Sequence, residues 1–156
     1  MIEMALIEGT INTLSPQGIF VHPDGTKANV SVGGRTIDII DTSTNSIIGS
    51  INFRALPGQG PVKVRTNSDG SRLIASAGFS GNDVWIVETT SNSVIGNISL
   101  PGAFGLAVGP SSNLIYALIG ISSPGSLSII NTLFQIKVSD VKVGHTPFEI
   151  VLGVVP

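Results

Sequence analysis

Apolar residues along this chain come in short runs of five to eight, rich in Val and Ile, and Gly, Asp-Gly or Asn interrupts each run before a helix could take hold. Thr36-Ile-Asp-Ile-Ile-Asp41 partly alternates, whereas Leu114-Ile-Tyr-Ala-Leu-Ile119 is apolar throughout. The first pattern suits a strand with one covered face, the second a strand covered on both. No 3.6-residue period is sustained, so the spacing predicts an all-β chain whose strands are joined by tight turns.

The runs also repeat as a group. Gly18-Ile-Phe-Val-His-Pro-Asp-Gly25, then 26–32, then Thr36 to Asn45, then Ser46-Ile-Ile-Gly-Ser-Ile51 is answered by Val62 to Gly70, 71–77, Asp83 to Asn92 and Ser93-Val-Ile-Gly-Asn-Ile98. A more diverged third copy holds Gly105 to Pro110, Leu114 to Ile119, Gly125 to Asn131 and a longer last run, Phe134 to Val143. The copies span 18–61, 62–104 and 105–148, each with four strands, and a period near 45 residues with four strands per period is the mark of β-propeller blades. Residues 5–13 read as the outer strand of a preceding blade and 148–155 as the inner strand of a following one. The expected fold is therefore an all-β, partial β-propeller: three four-stranded antiparallel blades in one segment, 1–156, with one flanking strand at each end. Closed propellers need at least about four blades. The chain is then a piece of a longer protein, an arc completed by association, or an open solenoid with capped ends.

Ile39-Ile-Asp-Thr-Ser-Thr-Asn45, the turns His22-Pro-Asp-Gly25 and Asn67-Ser-Asp-Gly70, and the leads Gly60-Pro61 and Gly144-His-Thr-Pro147 resemble the motifs of the YVTN-type β-propeller repeat family. The naming tetrapeptide is degraded to Asn29-Val-Ser-Val32, Leu73-Ile-Ala-Ser76 and Ile115-Tyr-Ala-Leu118, and the third copy lacks both Asp residues. The resemblance implies a surface-layer, cell-envelope or secreted setting and a binding or structural role without catalysis. Its alternative is a remnant of a propeller enzyme, lactonase- or quinoprotein-like, whose catalytic residues lie on missing blades.

Composition narrows the partners. Charged residues make up 12% of the 156, the formal net charge is −2, and the eight Lys and Arg are scattered, which leaves no footprint for nucleic acid. Without cysteine there is no disulfide, thiolate metal site or Cys nucleophile, and the redox compartment stays open. Met1 to Gly9 carries Glu3 and Glu8 and no basic segment, so no signal peptide is expected there, and no run is long enough for a membrane span. No cofactor and no metal are expected. Protein or carbohydrate partners remain, together with self-association through the apolar faces that terminal blades would expose.

Candidate chemistry is thin. The Asp-Gly pairs at 24–25 and 69–70 and the series Asp41, Glu88 and Asn131 are read as turn residues, because Asp and Asn at turn starts accept backbone N–H groups and Gly supplies positive φ. His22 reads as a solvated or capping group, and Trp85 as packing between blades. In a propeller the loops between second and third strands and the connections between blades share one end. That geometry collects Arg35, Arg54, Gln59, Phe79, Asn82, Phe104 and His145 as candidate ligand- or partner-binding residues, with no catalytic residue named. Asn29-Val-Ser31 and Asn97-Ile-Ser99 match the N-glycosylation tripeptide, which matters only if the chain is exported.

Overall fold

The computed structural model describes residues 10–33, 35–53, 60–78, 81–109, 111, 113–120, 123–147 and 149–150. Each copy of the repeat folds into a four-stranded antiparallel meander. Blade one holds β1 (Pro16–Val21), β2 (Lys27–Val32), β3 (Thr36–Asp41) and β4 (Ser46–Asn52). Blade two holds β5 (Lys63–Thr66), β6 (Arg72–Ser76), β7 (Asp83–Glu88) and β8 (Ser93–Ser99). Blade three holds β9 (Ala103–Val108), β10 (Leu114–Ile119), β11 (Ser126–Asn131) and β12 (Ile136–Lys142).

Register makes the repeat visible atom by atom. The third and fourth strands of each blade lose step at one place, between Ile39 and Ile40, Ile86 and Val87, and Ile129 and Ile130. The extra residues are Ile48, Ile95 and Val138, a β-bulge at one position of every outer strand. A bulge twists an edge strand and spoils it as a template for further pairing, which suits strands whose side chains here are largely apolar and exposed.

The core lies between blades, because a single twisted sheet has two apolar faces and nothing else to cover them. Ile37, Ile39 and Ile51 of blade one, with Phe53 just beyond it, meet Val64, Leu73, Ala75 and Val87 of blade two. Ile74 and Val84 on the other face of blade two meet Leu106, Ile115, Ala117 and Ile130 of blade three. Each fully covered Ile or Leu contributes about 1.5–3 kcal/mol relative to exposure. Trp85 packs into the first interface, its ring 5.1 Å from Phe53 and tilted by 54°.

The flanking segments fall only partly within the described residues. Residues 10–13 are not in a strand, although Ile11 packs on Ala28, Val30, Val32 and Ile40, the face of blade one turned away from blade two. Residues 149–150 are likewise outside any strand, and Ile150 lies against Gly105 of β9. The rest of 5–13 and of 148–155 lies outside the described residues.

Candidate functional site

The end of the arc singled out by sequence is held by backbone hydrogen bonds that recur at one repeat position. Phe53 N–H donates to the Arg35 carbonyl (2.9 Å), Leu100 N–H to that of Asn82 (2.8 Å) and Val143 N–H to that of Gly125 (3.0 Å). Each bond ties a loop between second and third strands to the exit of its own blade. Arg35 and Asn82 are thus equivalent residues, both exposed, on neighbouring loops at one end. His145 is exposed in the connection after β12, and its Nδ1 meets the Ser123 hydroxyl from the loop between β10 and β11. Phe104 is the second residue of β9, half-buried, with Lys63 Nζ 5.2 Å from its ring centre. Arg54, Gln59 and Phe79 lie outside the described residues.

The opposite end is built from the Asp and Asn series. Asp24 Oδ1 accepts the backbone N–H of Thr26 at 2.8 Å, and Asp69 Oδ1 accepts that of Ser71 at 2.8 Å. Asp41 accepts Ser43 and Thr44 N–H at 2.9 Å each, and Asn131 accepts Leu133 and Phe134 N–H at 3.0 and 3.1 Å. Gly25 and Gly70 follow with φ of 75° and 76°, the region that glycine enters without penalty. These bonds favour the charged carboxylate. Thr26 N–H and hydroxyl, with His22 beside them, hold Asp24 at about 2. The Ser43 hydroxyl, then the Thr44 and Ser43 N–H groups, hold Asp41 at about 2, and Ser71 lowers Asp69.

His22 does more than cap. Its Nε2 lies 3.0 Å from the Gly70 carbonyl in the next blade, and its Nδ1 lies 2.8 Å from Asp24 Oδ1, so it links the first turns of blades one and two. Ser31 and Ser76 form a second linking series. Their hydroxyls donate to the carbonyls of Val62 (2.8 Å) and Phe104 (3.2 Å), the residues entering the next blade's inner strand.

Sequence reasoning missed the inner strands. Arg65 lies over the Phe20 ring at 5.1 Å and Lys63 over Phe104, so two cations of β5 are seated on aromatic rings of the strands either side. Burial pushes the Arg65 guanidinium below its ordinary value, and Glu149 opposes that shift. A cleft of about 620 Å³ opens beside them, lined in part by Ile11, Thr13, Gln17 and Ile19. Aligning the copies gives the signal, since Lys63 and Arg65 replace Gly18 and Phe20 on one side and Gly105 and Ala107 on the other.

The two glycosylation tripeptides part company. Asn29 is 6% exposed and Ser31 is fully buried, whereas Asn97 is exposed on β8 and donates to Asp83 Oδ1 at 3.0 Å. Among the described residues no three His, Asp or Glu gather as metal ligands, and no helix is long and apolar enough to cross a membrane.

No protein-family profile and no curated protein matches the chain. Solved structures do. The hydrazine synthase of Kuenenia stuttgartiensis superposes with a TM-score of 0.78 at 20% identity, over 93% of this chain and 42% of that one. The WD40 repeats of RRP9 give 0.73 at 17% identity, over 86% and 40%, and U3-55K gives 0.73 at 16% identity, over 86% and 41%. The chain spans about two fifths of each. At these identities the likeness shows the fold alone, a three-bladed arc of a β-propeller.

Proposed function

We propose that this chain is a non-enzymatic binding or structural scaffold of YVTN type, a segment of a larger cell-envelope propeller protein. The observation that carries the reading is the stapled end. Arg35 and Asn82 stand on loops closed by the same backbone bond, with His145 on the exit of the third blade, so exposed polar groups are presented on a frame that does not have to be ordered on binding. A protein or carbohydrate partner fits such a surface. WD40 repeats among the structural neighbours support a protein partner, and the motif 39–45 with the turns at 22–25 and 67–70 supports the YVTN assignment.

One observation favours the enzyme reading, the contact between Ser123 and His145 Nδ1, since a hydroxyl beside an imidazole is the start of a nucleophile and base. The contact is exposed, which leaves water free to compete for both groups.

A glycan microarray and a set of purified envelope proteins, probed with the wild-type chain and with Arg35→Ala/Asn82→Ala/His145→Ala, test the scaffold. The expected result is a defined binder lost in the triple variant while its circular dichroism is unchanged. Hydrolysis of a lactone or activated ester by the wild type, abolished by Ser123→Ala, would overturn it.

A further inference from the structure

We infer that Lys63 and Arg65 form a binding site for a small oxyanion, a phosphate or carboxylate group, on the inner strand of the middle blade. The site is separate from the loop end and does not depend on what those loops bind. Its place is set by strands inside the arc. Within its sheet β5 pairs with β6 alone, and its other neighbours are β1 and β9, the inner strands of the blades before and after, both of which it touches. Inner strands gathered side by side are those that surround the centre of a propeller.

Lys63 and Arg65 are two residues apart on β5, so their side chains leave the same face of the sheet, opposite to Val64. From there they reach sideways, Arg65 to the Phe20 ring of β1 at 5.1 Å and Lys63 Nζ to the Phe104 ring of β9 at 5.2 Å. Arg65 Nη1 also donates to the Val64 carbonyl at 2.8 Å, which fixes the guanidinium and leaves its other N–H groups for a ligand. Both cationic heads are thus held before any ligand arrives, and little remains to be ordered on binding. Neither has a carboxylate at ion-pair distance. Among the described residues the ion pairs are His22 with Asp24, Arg72 with Glu88 and Lys137 with Asp140. Withdrawing a cation from water without a counter-charge is costly, and a ring face offsets only part of that. An oxyanion that accepts from both heads supplies the missing charge.

Two further observations point to a ligand. The same repeat positions hold Gly18 and Phe20 in blade one and Gly105 and Ala107 in blade three, so the blade fold itself does not demand the paired charge. Both cations also line a cavity of about 40 Å³ that they share with Phe104, Gly105, Glu149 and Ile150, as well as the larger cleft beside it. Glu149 is exposed, and its charge is felt at Arg65 without an ion pair between them. It is the internal competitor of the site, since an incoming anion meets its repulsion. With a formal net charge of −2 the chain has no general field that draws anions, so recognition rests on the two heads.

Isothermal titration calorimetry of the whole chain with inorganic phosphate and, separately, with citrate tests the site, in sodium chloride at physiological strength to screen diffuse attraction. Saturable binding at one site per chain is expected for at least one of the two, and the tighter one identifies the anionic group. Lys63→Gln and Arg65→Gln should each weaken that binding about tenfold, the loss of one charge-assisted hydrogen bond. Glu149→Gln should tighten it. Lys63→Arg, which keeps the charge and can still lie on Phe104, should bind nearly as the wild type does, which separates loss of charge from loss of the blade. No saturable binding of either anion overturns the proposal, and so does binding that survives both glutamine substitutions on β5. Weaker binding in Glu149→Gln overturns it too, because Glu149 would then be holding the cations in place rather than competing for them.

Discussion

Ile86 and Ile129 occupy one position of the repeat in blades two and three, on the face turned away from the preceding blade in each case. Ile86 is fully buried against blade three, and Ile129 is only partly covered. The sheets that carry them have the same strand order and the same bulge, so local structure cannot account for the difference. What separates the two is a neighbour. Stability in this molecule belongs to the joints between blades more than to the blades, as expected of repeat architectures whose units cannot hide their own apolar faces.

The largest expected effect tests that directly. Ile86→Ala should cost about 3–4 kcal/mol in urea unfolding, and Ile129→Ala about a third of that, since a partly covered side chain leaves a smaller cavity. Equal losses would mean that the blades are independently stable.

The paired glycines of the first turns give a smaller contrast between blades one and two. A Cβ on Gly25 would meet nothing, whereas one on Gly70 would come within 2.3 Å of His22 Nε2. Gly25→Ala should cost about 1 kcal/mol for the left-handed backbone alone. Gly70→Ala should cost distinctly more, because it also breaks the His22 link.

The smallest effect is electrostatic. Asp24 and Asp41 fall from 3.8 to about 2 on folding, so their contribution is complete above pH 4 and fades as the pH drops through 2. Blade three has Asn131 where blade one has Asp41, making the same two backbone contacts without a titrating group. Asp41→Asn should therefore leave the neutral-pH melting temperature nearly unchanged and flatten the acid limb of a Tm–pH curve. A steeper limb would contradict the assignment.

These contrasts also explain what could be seen in advance. The blades were legible because strand length, turn chemistry and apolar faces recur with the repeat, and each recurrence confirms the others. Asp24, Asp69 and Asp41 were legible as turn residues for the same reason, and so was Trp85 as an inter-blade side chain. Contacts that do not recur with the repeat were not. The seats of Lys63 on Phe104 and Arg65 on Phe20, the bond from His22 to Gly70 and the approach of Ser123 to His145 join residues about 20 to 48 positions apart with no repeated partner. The candidate end was legible as an end, through Arg35 and Asn82, because blade topology alone puts those loops together. The chemistry there was not, since side-chain position in a loop depends on neighbours that the repeat does not specify.

Hydrogen exchange followed by mass spectrometry, at high dilution, tests the central claim that coverage by a neighbouring blade sets stability. Dilute protein should exchange slowest in β6 and β7 and faster in β2, β3, β10 and β11. Protection that peaks in blade one or blade three at high dilution, or that is uniform over the three, would contradict the account.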